Sequence, residues 1–177
     1  MSLETGEIKE SFGSLTGEQD LFAGFHHVIA AGPGHSVWMA QQLAYRIELW
    51  GPDNRLLRSL RREAKWFPEI AATERTQGWE ERPDPALVGI AADDSLLWVF
   101  VATADEQWKN AAESHDYDLF YDTTIEVIDW RRGQVVGSER FDESYFHWVK
   151  PGLVGQLVVT AEGSVRYRTT RVRLVGR

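Results

Sequence analysis

The sequence predicts an all-β protein assembled from repeated four-stranded antiparallel units. Three observations carry this expectation. Short apolar stretches recur between turns rich in Gly, Pro and Asp. Two long stretches superpose on one another with a tryptophan matched to a tryptophan. Of the 177 residues 43% are hydrophobic and 26% charged, a mix that fills a core and argues against disorder.

The repeat is read first. His27–Ala40 aligns without a gap on Leu87–Phe100 at an offset of 60 residues, which places Trp38 on Trp98. Each copy reads as a strand (a), a turn (Gly32-Pro33-Gly34, then Asp93-Asp94-Ser95) and a second strand (b). Downstream, Arg46–Trp50 matches Thr124–Ile128 at an offset of 78 and supplies strand c, with Ile47 and Leu49 on one face and Arg46 and Glu48 on the other. The turns Gly51–Asn54 and Asp129–Gly133 end on residues that tolerate positive φ. Strand d follows at Leu56–Leu60 and Val135–Phe141. Trp38 and Trp98, at one position of two repeats, read as structural residues packing the units.

A third unit is split. Tyr145–Val149 supplies strand a, Leu157–Thr160 strand b and Thr169–Val175 strand c. Its strand d has a counterpart near the other end, where Glu4–Phe12 reads like a c–d turn and strand d with Gly6 in the place of Asn54 and Gly133. The expected organisation is one domain over 1–177: strand d at 4–13, a unit at 26–63, a unit at 86–142 with an insertion at 103–122, and a partial unit at 144–177.

Four-stranded units with a Trp in strand b, an Ile-Glu-(Val/Leu) strand c and a Gly or Asn in the c–d turn resemble the blades of bacterial six-bladed β-propellers of the NHL-repeat type. Arg62–Pro68 is similar to an inter-blade connection of that group. The resemblance covers about three blades, half of a six-bladed propeller, and implies a homodimer completing the ring. Its N-terminal strand would pair with strand c of the partner. A β-sandwich is the alternative, although it does not predict matched tryptophans.

Two connections are long. Arg61–Pro85, with Trp66, Phe67 and Trp79, reads as an irregular inter-blade loop. Within the insertion, Asp105–His115 has helix-forming composition.

Composition narrows the function. A net charge of −8 speaks against nucleic acid and against a basic membrane patch. No apolar run approaches the ~20 residues of a membrane span, and the polar N-terminus carries no signal-peptide pattern, so compartment stays unknown although the resembling proteins are often exported. Absent cysteine excludes disulfides and thiolate sites.

Chemistry-bearing residues concentrate at His115–Asp122. His115, Asp116, Asp118 and Asp122 could hold a divalent cation through oxygen and imidazole ligands, although the spacing fits no known loop and a solvated acidic loop is the plainer reading. His26, His27, His35 and His147 could converge near a propeller axis, but His26 and His27 point to opposite faces of one strand. Arg166, Arg168, Arg171 and Arg173 form a basic stripe suited to an anion or to an exposed strand. No hydrolase elbow, P-loop or dinucleotide fingerprint occurs. Some similar propellers hold calcium in the central channel. Here the channel-side positions are Val28, Ala30, Val88 and Ile90, with no recurring carboxylate. The expectation is a non-enzymatic binding or scaffolding module without a cofactor; the alternative is a calcium-type hydrolase or lactonase.

Overall fold

A computed structural model describes residues 27–68, 81–114, 120–145, 147–150, 152–159 and 162–175. It is all-β, with three antiparallel sheets of four, four and three strands. The first sheet runs β1 (His27–Ala31), β2 (Val37–Gln41), β3 (Arg46–Trp50) and β4 (Leu56–Arg61) in sequence order. The second repeats that order in β5 (Ala86–Asp93), β6 (Leu96–Ala104), β7 (Tyr121–Asp129) and β8 (Gln134–Phe141). The third holds β9 (His147–Lys150), β10 (Leu153–Val159) and β11 (Val165–Arg171). The expected strand at 4–13 and Trp79 lie outside the described residues.

Turn chemistry explains the hairpins. Asn54 and Gly133 adopt φ of 56° and 69°, the left-handed conformation that closes both c–d turns. The Asp129 carboxylate accepts the backbone N–H groups of Arg131 and Arg132 at 3.2 and 3.1 Å and pins the second turn.

Each sheet packs on the next with the same face. Trp38, Ile47 and Leu49 of the first sheet meet Leu97, Val99, Val101 and Ile128 of the second. On the second sheet's other face, Trp98, Phe100, Ile125 and Val127 meet Tyr145, Trp148 and Val154. Trp38 is fully buried and contacts Trp130 edge-on at 5.6 Å; Trp98 is 6% exposed and sits 5.3 Å from Trp148. Period-2 alternation, read against two covered faces, therefore produces strands buried almost throughout, as β7 is.

Several boundaries differ from the sequence expectation. Ala30 stands opposite Trp38 but Ala91 opposite Trp98, so the two a-strands superpose at 61 rather than 60. The gapless alignment missed this because the first a–b turn is longer and includes a short 3₁₀ turn at Pro33–His35. In the third unit β10 and β11 begin four residues earlier than expected. Gly152, at φ 73°, makes the a–b hairpin tight, and Gly155 is tolerated inside β10 because Tyr167 lies directly over it. The alternation of Val172 and Leu174 follows from packing on the second sheet, Leu174 lying against Gly137, and continues past the ladder. The helix spans Trp108–Ser114, inside the expected Asp105–His115.

Truncation of either tryptophan removes a buried aromatic from one inter-sheet layer. Trp38→Ala and Trp98→Ala should each lower stability by about 3–5 kcal/mol in urea denaturation.

Candidate functional site

Strand c carries Glu at the centre of both repeats, and alternation turns that side chain away from the Trp face. Glu126 in β7 therefore points back at the first sheet and is fully buried. A buried carboxylate demands partners. The Tyr45 hydroxyl donates to it at 2.7 Å, and the Arg62 guanidinium contacts both oxygens, Nη2 at 2.8 Å from Oε1 and Nε at 2.7 Å from Oε2. Ser138, opposite it on β8, donates at 3.3 Å. Burial first, then the neighbouring carboxylate, pushes the Tyr45 phenol far above its ordinary range against the opposing pull of Arg62, so it stays a donor. Glu48, the equivalent in β3, is also buried, and takes the Trp50 indole N–H at 3.0 Å and the Arg46 guanidinium.

Two residues before Thr124 the same face of β7 carries Asp122. Arg140 of β8 donates to it from Nε at 2.6 Å and also reaches the Ala104 carbonyl at 3.0 Å. Asp105, buried just past the end of β6, caps the start of the following helical turn by accepting the Gln107 N–H. Burial raises the Asp122 pKa, and the Asp105 carboxyl adds to this while Arg140 offsets part of it.

These groups stand beside a cleft of about 800 Å³ between the connection from β4 to β5 and the second sheet. Lys65, Trp66, Arg82, Thr103, Thr124 and Arg140 contribute to its wall. Trp66 remains 39% exposed while its ring meets Tyr45 and Phe67 edge-on at 6.3 and 6.0 Å. The arrangement offers an aromatic surface, hydroxyls and charges of both signs, with Asp84 and Glu139 in the wall beside Lys65, Arg82 and Arg140.

Of the residues singled out from sequence, Asp122 belongs to this region, paired with Arg140; His115, Asp116, Asp118 and His26 lie outside the described residues. His27 opens β1, and His35 sits beyond its far end in an exposed turn. His147 opens β9 on the third sheet and contacts Tyr167 at 5.8 Å between ring centres. Among the described residues no group of three His, Asp or Glu side chains could hold a metal ion. The arginine stripe is divided by the strand: Arg166 and Arg168 share one face of β11 and Arg171 the other. Sequence reasoning missed Glu126, Tyr45, Arg62 and Arg140. The signal was available, since Glu48 and Glu126 are the one charged pair at matched central positions of strand c.

No family model matches the chain, and no curated protein is significantly similar to it. No helix among the described residues is long and apolar enough to cross a membrane.

The raised Asp122 pKa has a signed consequence. The folded state holds this proton more tightly than the unfolded chain, so the contribution to stability is complete below the ordinary carboxylate range. It is lost as pH rises through the raised value. Asp122→Asn carries no such titration. The stability of the wild type relative to Asp122→Asn should therefore be smaller at pH 7 than at pH 4 in urea denaturation.

Proposed function

We propose that this chain is a run of β-propeller blades serving as a non-enzymatic binding or scaffolding module, with the cleft between the β4–β5 connection and the second sheet as the ligand surface. One observation carries the choice of binding over catalysis. The two buried carboxylates next to the cleft are engaged by groups of the protein itself, Glu126 by Tyr45 and Arg62 and Asp122 through its Oδ2 by Arg140, while Asp84 and Glu139 complete the cleft wall. A general acid, a general base or a cation ligand needs a carboxylate free to meet substrate or metal.

The blade reading is supported by the serial packing. The first two sheets present the same face to their successors, and the first strands β1, β5 and β9 follow one another in contact, as strands around an axis do. A two-sheet sandwich gives no third layer with the same orientation. The cleft's Trp66 surface, in a wall that carries Lys65 and Arg82 as well as Asp84 and Glu139, suits a small ligand with a flat apolar face and polar groups.

Metal analysis of the protein purified without added metal tests this directly. The reading expects no stoichiometric divalent cation and no change in thermal midpoint when calcium is added. Stoichiometric calcium, with a raised midpoint, would favour a calcium-type hydrolase or lactonase instead.

A further inference from the structure

The first sheet ends on a basic stretch inside an acidic protein. Residues 55–65 hold five of the 19 Lys and Arg residues, with Glu63 as their one acid, although the chain carries a net charge of −8. Charged side chains on an outer strand usually guard a sheet edge against pairing. Alternation along β4 gives these arginines different surroundings. Arg61, opposite Arg46, lies on the face turned away from the second sheet. Arg58, opposite Leu49, and Leu60, opposite Ile47, turn toward it.

There Arg58 and Leu60 border a second cavity, of about 670 Å³, which shares no lining residue with the cleft at Trp66. Ile128 and the residues from Gly133 to Val135, where β8 begins, form its opposite wall. Glu63 lies beyond Leu60 along the chain, so Arg58 and Glu63 stand toward opposite ends of the cavity.

Arg58 is held in place without being neutralised. Its Nη2 donates to the Arg131 carbonyl at 3.0 Å, beside Gly133, where a Cβ would lie 3.9 Å from that nitrogen. A carbonyl is a dipole and cancels no charge. The Arg58 Nε is buried without a hydrogen-bond partner, and among the described residues no carboxylate pairs with this guanidinium. Arg62 and Arg140, by contrast, meet Glu126 and Asp122. A half-buried cation without a counter-ion costs free energy, and folds carry such costs where a site has another task. The turn that fixes Arg58 adds further positive charge. Arg132 lies 3.8 Å from Asp129, whereas the Arg131 guanidinium sits over the Trp130 ring at 5.3 Å.

We infer that the cavity between β4 and β8 binds a small organic anion, a carboxylate or phosphate on an apolar body, with Arg58 as its counter-ion. A guanidinium presents a planar fork that matches two oxygens of such a group. Leu60, Ile128 and Val135 receive the apolar body, and Glu63 disfavours a second anionic group at the far end. The tie to the Arg131 carbonyl leaves the Arg58 side chain little rotamer freedom to lose when the anion arrives. The inference goes beyond the cleft at Trp66, and neither site depends on the other.

Calorimetric titration with hexanoate, hexyl phosphate and hexanol tests it. At least one of the two anions should bind the wild type, less tightly as salt is raised, with hexanol weaker by about tenfold or more. Arg58→Gln keeps a donor for the Arg131 carbonyl but removes the charge, and should weaken anion binding by a similar factor. Gln134→Glu, at an exposed position of the opposite wall, supplies a carboxylate to the cavity. It should weaken the same binding while leaving the tie between the sheets untouched. Arg58→Lys should bind at an intermediate level, since a point charge replaces the fork. Hexanol binding as tightly as the anions overturns the counter-ion role. Anion binding unchanged in either Arg58→Gln or Gln134→Glu overturns the site. No binding of either anion at millimolar concentration overturns the inference as a whole, and the metal analysis judges the cleft at Trp66 separately.

Discussion

The architecture depends on one buried anion. Glu126 lies in the middle of the second sheet with no solvent exposure, and its charge is matched from the first sheet by Arg62 and Tyr45. Removing water from a carboxylate costs several kcal/mol, so the two sheets are constrained to the separation and register that deliver both donors. Hydrophobic layers such as Trp38 against Leu97 and Val99 drive association but tolerate sliding. Charge pairing does not. Arg62 follows β4 directly and Tyr45 precedes β3, so the two ends of the first sheet's outer hairpin are fixed at once.

The same economy of design governs the cleft. Arg140 of β8 fixes Asp122 of β7 and the end of β6 together, which ties three strands of the second sheet at its cleft end. Trp66 stays open because Tyr45 and Phe67 support its ring from the side. A surface made rigid by paired charges needs little ordering when a ligand arrives, and preorganisation of that kind favours binding. Arg58 adds a second tie between the sheets by donating to the Arg131 carbonyl at 3.0 Å.

Much of the strand order was legible because period-2 alternation and turn residues act locally. Asn54 and Gly133 announce their turns through backbone sterics alone, and Ile47 and Leu49 announce a face. The third unit was less legible. Val172 and Leu174 alternate like a strand while serving as packing for the second sheet, and Gly155 interrupts β10 without ending it because an aromatic from β11 fills its place. The carboxylate latch was not read at all. Its partners Tyr45 and Arg62 are 81 and 64 residues from Glu126, and nothing local in the chain marks a long-range charge pair. The paired Glu48 and Glu126 were visible as a pattern, but only burial distinguishes them from a solvated strand face.

Glu126 and Arg62 act as one inter-sheet unit. A double-mutant cycle of Arg62→Met and Glu126→Leu, followed by urea denaturation, tests it most directly. Each single variant leaves an uncompensated group at the sheet interface, whereas the double variant replaces the pair with apolar side chains. The double variant should be more stable than the sum of the singles allows, with a coupling energy of about 2 kcal/mol. Strictly additive effects of the two substitutions would contradict it.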